Sequence, residues 1–385
     1  MAIGAKTPEE VAVFITIGQS NADGSAYFDP DEDARLRQWY DSPANPHNAH
    51  IWYRSCKVQN QESNALGERS RWVIDGDTTD VAPGWLDLWY RNENTLGRTA
   101  MNMIHGYGTY STGSGTDCAQ GRRGMEGEMG MRFSMNLPDT ELYVIKLGAS
   151  GSHISAWANP ADNTNWTYFY NNVYRPAMDS LLAQGKRPRL AGIWWMQGCA
   201  DKNRDSDYYG RWLGTLIDKC RNDLGFADAT FYIGHIIGPG TSELYPEGSV
   251  EYSENVRRAQ DSIAAAMPRV HIINTDSCEL QYEEAFKGYI HFSHKGVNTI
   301  GRILAEKITA DPAGWAAFST PGYWDIAGSS PVFVPSAGNP TITYGKTADG
   351  IITATLCYPG WSETKYLAPG KQQANSQQPI HEATN

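Results

Sequence analysis

Val11-Ala-Val-Phe-Ile-Thr-Ile17-Gly18-Gln19-Ser20-Asn21 is a seven-residue run that breaks on a glycine and then presents a serine. A short continuous run rich in β-branched and aromatic residues reads as a strand buried on both faces. Four further runs have the same character, at about 142–147, 190–196, 230–236 and 269–273. Between them lie helical stretches at about 122–136, 167–184 with Pro176 interrupting, 206–224, 254–266 and 296–308. Strands alternating with helices predict an α/β fold, doubly wound, with a parallel sheet covered on both faces. Ligands of such sheets sit beyond the carboxyl ends of the strands. Loops at 18–24, 148–157, 197–205 and 288–295 are therefore expected to converge on one crevice.

The rest of the 385-residue chain narrows the classes open to it. A net charge of −11 argues against a nucleic-acid partner, whose surface is usually basic. A mean hydropathy of −0.50, with no run approaching the ~18 apolar residues of a membrane span, argues against a membrane partner. The six cysteines, at 56, 118, 199, 220, 278 and 357, form no CxxC pair, so a structural zinc site is not expected. The N-terminal MAIGAKTPEE lacks a basic n-region, and the run after it is read as a strand rather than a signal peptide. The expected location is the cytoplasm or, as an alternative, a virion, in a phage tail. The 13 Trp and 21 Tyr against 10 Phe hint at a face for polar ligands such as sugars, although large aromatics also fill β-rich cores.

Three domains of behaviour are expected along the chain. Residues 1–315 form the catalytic domain, within which 27–120 is a long insertion carrying Trp39, Trp52, Trp72, Trp85 and Trp89. Residues 316–357 alternate as antiparallel strands around Asp349-Gly350 and form a small β appendage, and 358–385 are a Gln/Asn/Pro-rich loose tail.

Four segments carry chemistry. Ser20, just after the first strand, is placed as a nucleophile whose own N–H can hold an oxyanion, although taken alone a serine there is more often an ST-turn or helix cap. Lys146-Leu-Gly148-Ala-Ser150-Gly151-Ser152-His153 follows the second strand; its glycines permit close approach of backbone N–H groups to a ligand, with Ser150 a rival nucleophile and His153 a rival base. Trp194-Trp195-Met196-Gln197-Gly198-Cys199-Ala200-Asp201 offers the Gln197 amide as an oxyanion donor, a Cys199 that reads as a small buried hydrophobe, and an Asp201 that is either an acid or a helix cap. Gly288-Tyr-Ile-His291-Phe-Ser-His294 supplies two histidines, either of which suits a base for a serine hydroxyl.

Taken in order, GQSN, a GxSG-type loop, WMQGxxD and HFS resemble the SGNH hydrolases, specifically the sialate O-acetylesterase-like branch of the carbohydrate esterases. Glu128-Met-Gly130 is similar to that branch's second block. The resemblance spans about 11–310, excluding much of 27–120. It implies a flavodoxin-like three-layer α/β/α sandwich and hydrolysis of acetyl esters on a glycan, whether sialic acid or a polysaccharide, with no cofactor and no metal. Carried over by position, Ser20 is the nucleophile and His291 the base, while the Ser20 N–H, the Gly151 N–H and the Gln197 amide form the oxyanion hole. Gln19, Asn21, Glu128, Ser150 and Trp157 are then expected to bind substrate. The sequence departs from the family at two positions: an Asp three residues before the histidine is replaced by Gly288, and the Glu of QGE by Cys199. A Ser20–His291 dyad follows, with Asp201, Glu283 or Glu284 as candidate supporting acids. The alternatives are a catalytically weakened glycan-binding protein on an esterase scaffold and a short-chain lipase- or thioesterase-like SGNH enzyme. Trp157 is expected to face substrate, and Trp194-Trp195 to be split between core and crevice.

Overall fold

The computed structural model describes residues 9–27, 34–53, 84–88, 122–149, 151–237, 245, 253–284 and 287–318, and the backbone of strands at 322–325, 332–335, 341–346, 352–358 and 361–367. In the insertion, Trp72 and Trp89 lie outside these residues, as do Ser150, the Asp349-Gly350 turn and residues 368–385.

Strands are β1 (Glu9–Gly18), β2 (Ala26–Tyr27), β3 (Ala49–Tyr53), β4 (Gly84–Asp87), β5 (Arg122–Arg123), β6 (Leu142–Gly148), β7 (Lys186–Met196), β8 (Phe231–Gly234), β9 (Val270–Ile273), β10 (Leu280–Glu283), β11 (Gly288–Phe292) and β12 (Ala316–Ala317). Helices are α1 (Ser20–Asp23), α2 (Ala34–Asp41), α3 (Glu126–Asn136), α4 (Ser155–Ala158), α5 (Thr164–Tyr168), α6 (Arg175–Ala183), α7 (Ser206–Asp223), α8 (Glu254–Ala266) and α9 (His294–Ala310). A π-helical turn, Phe169–Tyr174, joins α5 to α6. Pro176 therefore sits in the first turn of α6, where its missing N–H costs no helical hydrogen bond.

The main sheet runs β4-β3-β6-β1-β7-β8-β9, with all neighbours parallel except the β3–β4 pair, and β12 adds antiparallel to β7. Counting only β1, β6, β7, β8 and β9 in chain order, the spatial order is 2-1-3-4-5, the doubly wound order of the flavodoxin-like fold. The α/β expectation holds. The insertion contributes β3 and β4, which extend the sheet beyond β6.

Alternation along β1 shows why it is central. Val11, Val13, Ile15 and Ile17 enter one core with the aromatics of β7, α4–α6 and α7, while Ala12 and Phe14 enter the other with α3 and α9. Period 2 on a strand buried on both faces accounts for the unbroken apolar run. One polar intrusion is Lys146 of β6, which pairs with Glu126 of α3 at 2.9 Å, both fully buried. Removing either partner alone would strand a buried charge.

Beyond the sheet, β10 and β11 form a separate antiparallel hairpin, with Gln281 opposite His291 and Glu283 opposite Gly288. In the C-terminal region, Gly322–Asp325 pairs with Val332–Pro335, and Thr341–Lys346, Ile352–Tyr358 and Trp361–Leu367 make a three-stranded antiparallel sheet. Residues 361–367, expected in the loose tail, are its third strand.

Candidate active site

Ser20 is the first residue of α1, immediately beyond the carboxyl end of β1. Its N–H belongs to the first turn, whose donors have no acceptor within the helix. The turn is possible only because Gly18 has φ +147 and a Cβ there would strike the Met196 carbonyl. Across the β1–β6 pair a Cβ on Gly148 would strike the Asp23 backbone, so α1 rests directly on β6. The Gln19 N–H donates to the Met196 carbonyl at 3.0 Å and the Ala149 N–H to the Gly18 carbonyl at 2.8 Å, fixing the Ser20 turn between the ends of β6 and β7.

The side chain after Ser20 joins this turn to the hairpin. Asn21 Nδ2 donates to the Ile290 carbonyl at 3.0 Å, and Asn21 Oδ1 accepts from the Phe292 N–H at 3.1 Å. The two bonds grip the backbone on either side of His291. Asn21, expected to bind substrate, thus spends both ends of its amide on the hairpin. Asn21→Ala is expected to lower stability by about 2–4 kcal/mol, since two buried backbone groups lose their partner. It should also lower esterase activity, and denaturant unfolding alongside initial rates checks both effects.

His291 is buried, and its Nδ1 stands 2.9 Å from Oε1 of the equally buried Glu283. Of the three carboxylates considered from the sequence, Glu283 is the one brought to this imidazole. Gln281 supports it, with Nε2 donating to Glu283 Oε1 at 2.5 Å and to the Ser25 carbonyl at 2.9 Å while Oε1 accepts from the Tyr27 N–H at 2.8 Å. Gln281 was not singled out from the sequence. Its signal is positional, since it lies opposite His291 in a hairpin visible only once both strands are paired. Glu284 is exposed, and His294 is the first residue of α9 rather than part of the hairpin.

Asp201 lies elsewhere. Fully buried, it accepts from the Ile154 N–H at 2.8 Å and from Gln197 Nε2 at 2.6 Å, and its Oδ1 is 3.1 Å from Nδ1 of His153. Gln197 Nε2 also donates to the Ser152 carbonyl at 3.0 Å, and Gln197 Oε1 accepts from the Tyr209 hydroxyl at 3.0 Å. The Tyr209 phenol, wholly buried, is held far above its ordinary range by desolvation and so stays a donor. Both amide hydrogens of Gln197 are committed, so its expected part in the oxyanion hole is corrected: it braces the loops after β6 and β7. Gln19 does similar work, its Oε1 accepting from the N–H groups of Gly198 and Ala200 at 3.2 and 3.4 Å. Gly151 is exposed with φ +68 and open space where a Cβ would stand, which leaves its backbone accessible to a ligand.

Two further expectations change. Glu128 is 2% exposed, with Arg35 and Arg132 on its carboxylate, and therefore anchors α2 to α3 instead of meeting substrate. Trp157 is fully buried, packs edge-on to Trp195 at 5.7 Å and donates from Nε1 to Ser152 Oγ at 3.0 Å. Its indole fills the core because α4 is a single turn pressed against α7. Trp194 and Trp195 do point to opposite faces of β7, but each into a core, and neither reaches the crevice.

Among the described residues no group of His, Cys, Asp and Glu is arranged to hold a metal ion, and no helix is long and apolar enough to cross a membrane. Cys199, Cys220 and Cys278 are buried, and burial pushes the Cys278 thiol up to about 12.

Residues 119–310 match the family model described as carbohydrate esterase, sialic acid-specific acetylesterase. The matched region belongs to that carbohydrate esterase family. It carries Gly151, Asp201, Glu283 and His291, while Ser20 lies outside it, on the turn after β1, which pairs between β6 and β7. No curated protein matches the chain. Similar solved structures include a protein from Arabidopsis thaliana (15% identity, TM-score 0.47, covering 78% of this chain and 99% of that one). A carbohydrate acetylesterase from Xanthomonas citri is similar at 13% identity and TM-score 0.41, covering 90% of this chain and 63% of that one. NanS is similar at 15% identity and TM-score 0.44, covering 80% and 99%.

Proposed function

We propose that this carbohydrate esterase is an O-acetylesterase that removes acetyl groups from a glycan through an acetyl-enzyme on Ser20. The observation that carries the reading is the double restraint on His291, by Glu283 at Nδ1 and by Asn21 at the flanking backbone, beside the turn that bears Ser20. A carboxylate on Nδ1 fixes the tautomer and leaves Nε2 for the serine proton. Ser20 Oγ attacks the ester carbonyl carbon as His291 Nε2 takes its proton. The resulting oxyanion is received by the N–H groups of Ser20 and Gly151. Collapse breaks the bond to the sugar oxygen, which leaves with the proton from His291. Water, deprotonated by the same imidazole, then attacks the acetyl-serine and releases acetate.

Glu283 answers the two departures that favoured a weakened, binding-only scaffold. The acid absent at 288 and 199 is supplied across the hairpin. The test is acetate release from O-acetylated sialic acid, acetylated xylan and acetylated bacterial polysaccharides, with mass spectrometry of the Ser20 peptide after rapid acid quench. Acetate with an acetylated Ser20 peptide is expected. Saturable glycan binding without acetate from any of them would replace the reading with the binding protein.

A further inference from the structure

A second carboxylate–imidazole pair lies on the other side of the Ser20 turn. His291 belongs to the face of the sheet that carries α3 and α9, where its neighbour Phe292 is buried. His153 belongs to the opposite face, where Ile154, Trp157 and Cys199 pack against α7. Because β1 lies between β6 and β7, the loops that follow those two strands flank the serine turn, and the His153–Asp201 contact bridges them. Ser20 therefore sits at the switch point between the two imidazoles.

The two pairs differ in a way that sorts their roles. His291 is buried and gripped on both sides, as a proton carrier must be. His153 is held at one end only: its side chain is 52% exposed, whereas its partner Asp201 is fully buried and further fixed by Ile154 N–H and Gln197 Nε2. A carboxylate only accepts, so Nδ1 donates to Asp201 and Nε2 is the ring nitrogen left to meet a ligand. A ring nitrogen anchored in this way two residues from Gly151, whose N–H is proposed to receive the oxyanion, suits a hydroxyl on the substrate, which can donate or accept. Sugars carry such hydroxyls beside an acetylated oxygen.

We propose that His153 is a specificity residue that hydrogen-bonds through Nε2 to a free hydroxyl of the carbohydrate bearing the acetyl ester. This rests on the esterase reading above and goes beyond it by assigning the residue that distinguishes a sugar ester from a simple one. The substitution that isolates Nε2 is His153→Asn, whose amide nitrogen reaches Asp201 as Nδ1 does and offers nothing at the position of Nε2. His153→Gln does the converse.

The experiment measures kcat and KM for the wild type, His153→Asn, His153→Gln and Ser20→Ala. Its substrates are p-nitrophenyl acetate, which has no hydroxyl, and the fastest-hydrolysed of the three carbohydrates named above. His153→Asn is expected to raise KM for the carbohydrate about tenfold more than for p-nitrophenyl acetate, with kcat less affected, as loss of one substrate hydrogen bond implies. His153→Gln should recover most of that KM. Equal losses on both substrates, or no loss on the carbohydrate, with Ser20→Ala inactive, would overturn the His153 assignment and leave the esterase reading standing. An active Ser20→Ala would remove the acetyl-enzyme on Ser20 from the proposed function, and a wild type that releases no acetate from any of the substrates would remove the esterase reading and this assignment with it.

Discussion

Ser20→Ala is expected to abolish acetate release, with kcat falling by a factor on the order of 10⁶, the loss seen when a hydroxyl nucleophile is removed from a coupled serine–histidine unit. The fold should be untouched. The contacts that build the turn come from backbone, with the Ser20 carbonyl accepting from the Gly24 N–H at 3.0 Å and the Ser25 hydroxyl at 3.1 Å, and neither needs the Ser20 side chain. An alanine at a helix start also carries no steric conflict. Residual activity over water would come from the Ser20 and Gly151 N–H groups, which bind charge developing on the carbonyl oxygen without a nucleophile. Turnover of p-nitrophenyl acetate by the purified variant, against a wild type of matched thermal stability, is the measurement. A loss of less than tenfold would mean that another group attacks the ester.

Glu283→Gln should be the next most damaging change, lowering kcat by about 10³–10⁴ with little change in KM. An amide in place of the carboxylate either presents N–H groups to Nδ1 or a neutral oxygen that stabilises an imidazolium poorly. Gln281 Nε2 and His291 Nδ1 both meet Glu283 Oε1. An amide that keeps its oxygen toward them retains the contacts but loses the negative charge that stabilises the imidazolium, while an amide turned the other way sets an N–H group against both donors. Asp201→Asn should behave differently, since its carboxylate serves His153 and the loop after β6. Comparing kcat for the two variants separates the acid that orients the base from the acid that braces the crevice. Equal kcat in Glu283→Gln and wild type would return the site to a serine–histidine dyad.

The fold was legible because its core strands are locally explicit. VAVFITI, LYVIKL and LAGIWWM each announce a two-sided strand, and the helix that follows carries its own polar face. Nothing in β3 or β4 does so, and their place at the sheet edge is set by pairing with β6 rather than by pattern. In the site, residue type and position at strand ends offered Ser20 beside rivals and left His291 and His294 competing, and the ordered motifs of the family resemblance chose Ser20 and His291. Glu283 does not, because its relation to His291 runs across a hairpin with a register shift between Gln281 and Glu283, not along the chain. Gln197 misled for a physical reason. A side-chain amide at a strand end suits an oxyanion, but Asp201 four residues on and the Ser152 carbonyl compete for the same two hydrogens. Trp157 misled similarly, since a sequence shows an aromatic beside a motif without showing into which layer a one-turn helix aims it.

The clamp from Asn21 to the backbone around His291 ties together residues 271 positions apart. During synthesis β1 emerges well before β6 and β7, yet it is a middle strand of the sheet and has neither of these neighbours until they have left the ribosome. His291 arrives later still, on a hairpin outside that sheet whose anchors include Asn21 and the Ser25 and Tyr27 backbone. On the proposed mechanism a nascent chain carries an inert serine for most of its translation, and hydrolytic competence appears only when segments 271 residues apart have found each other.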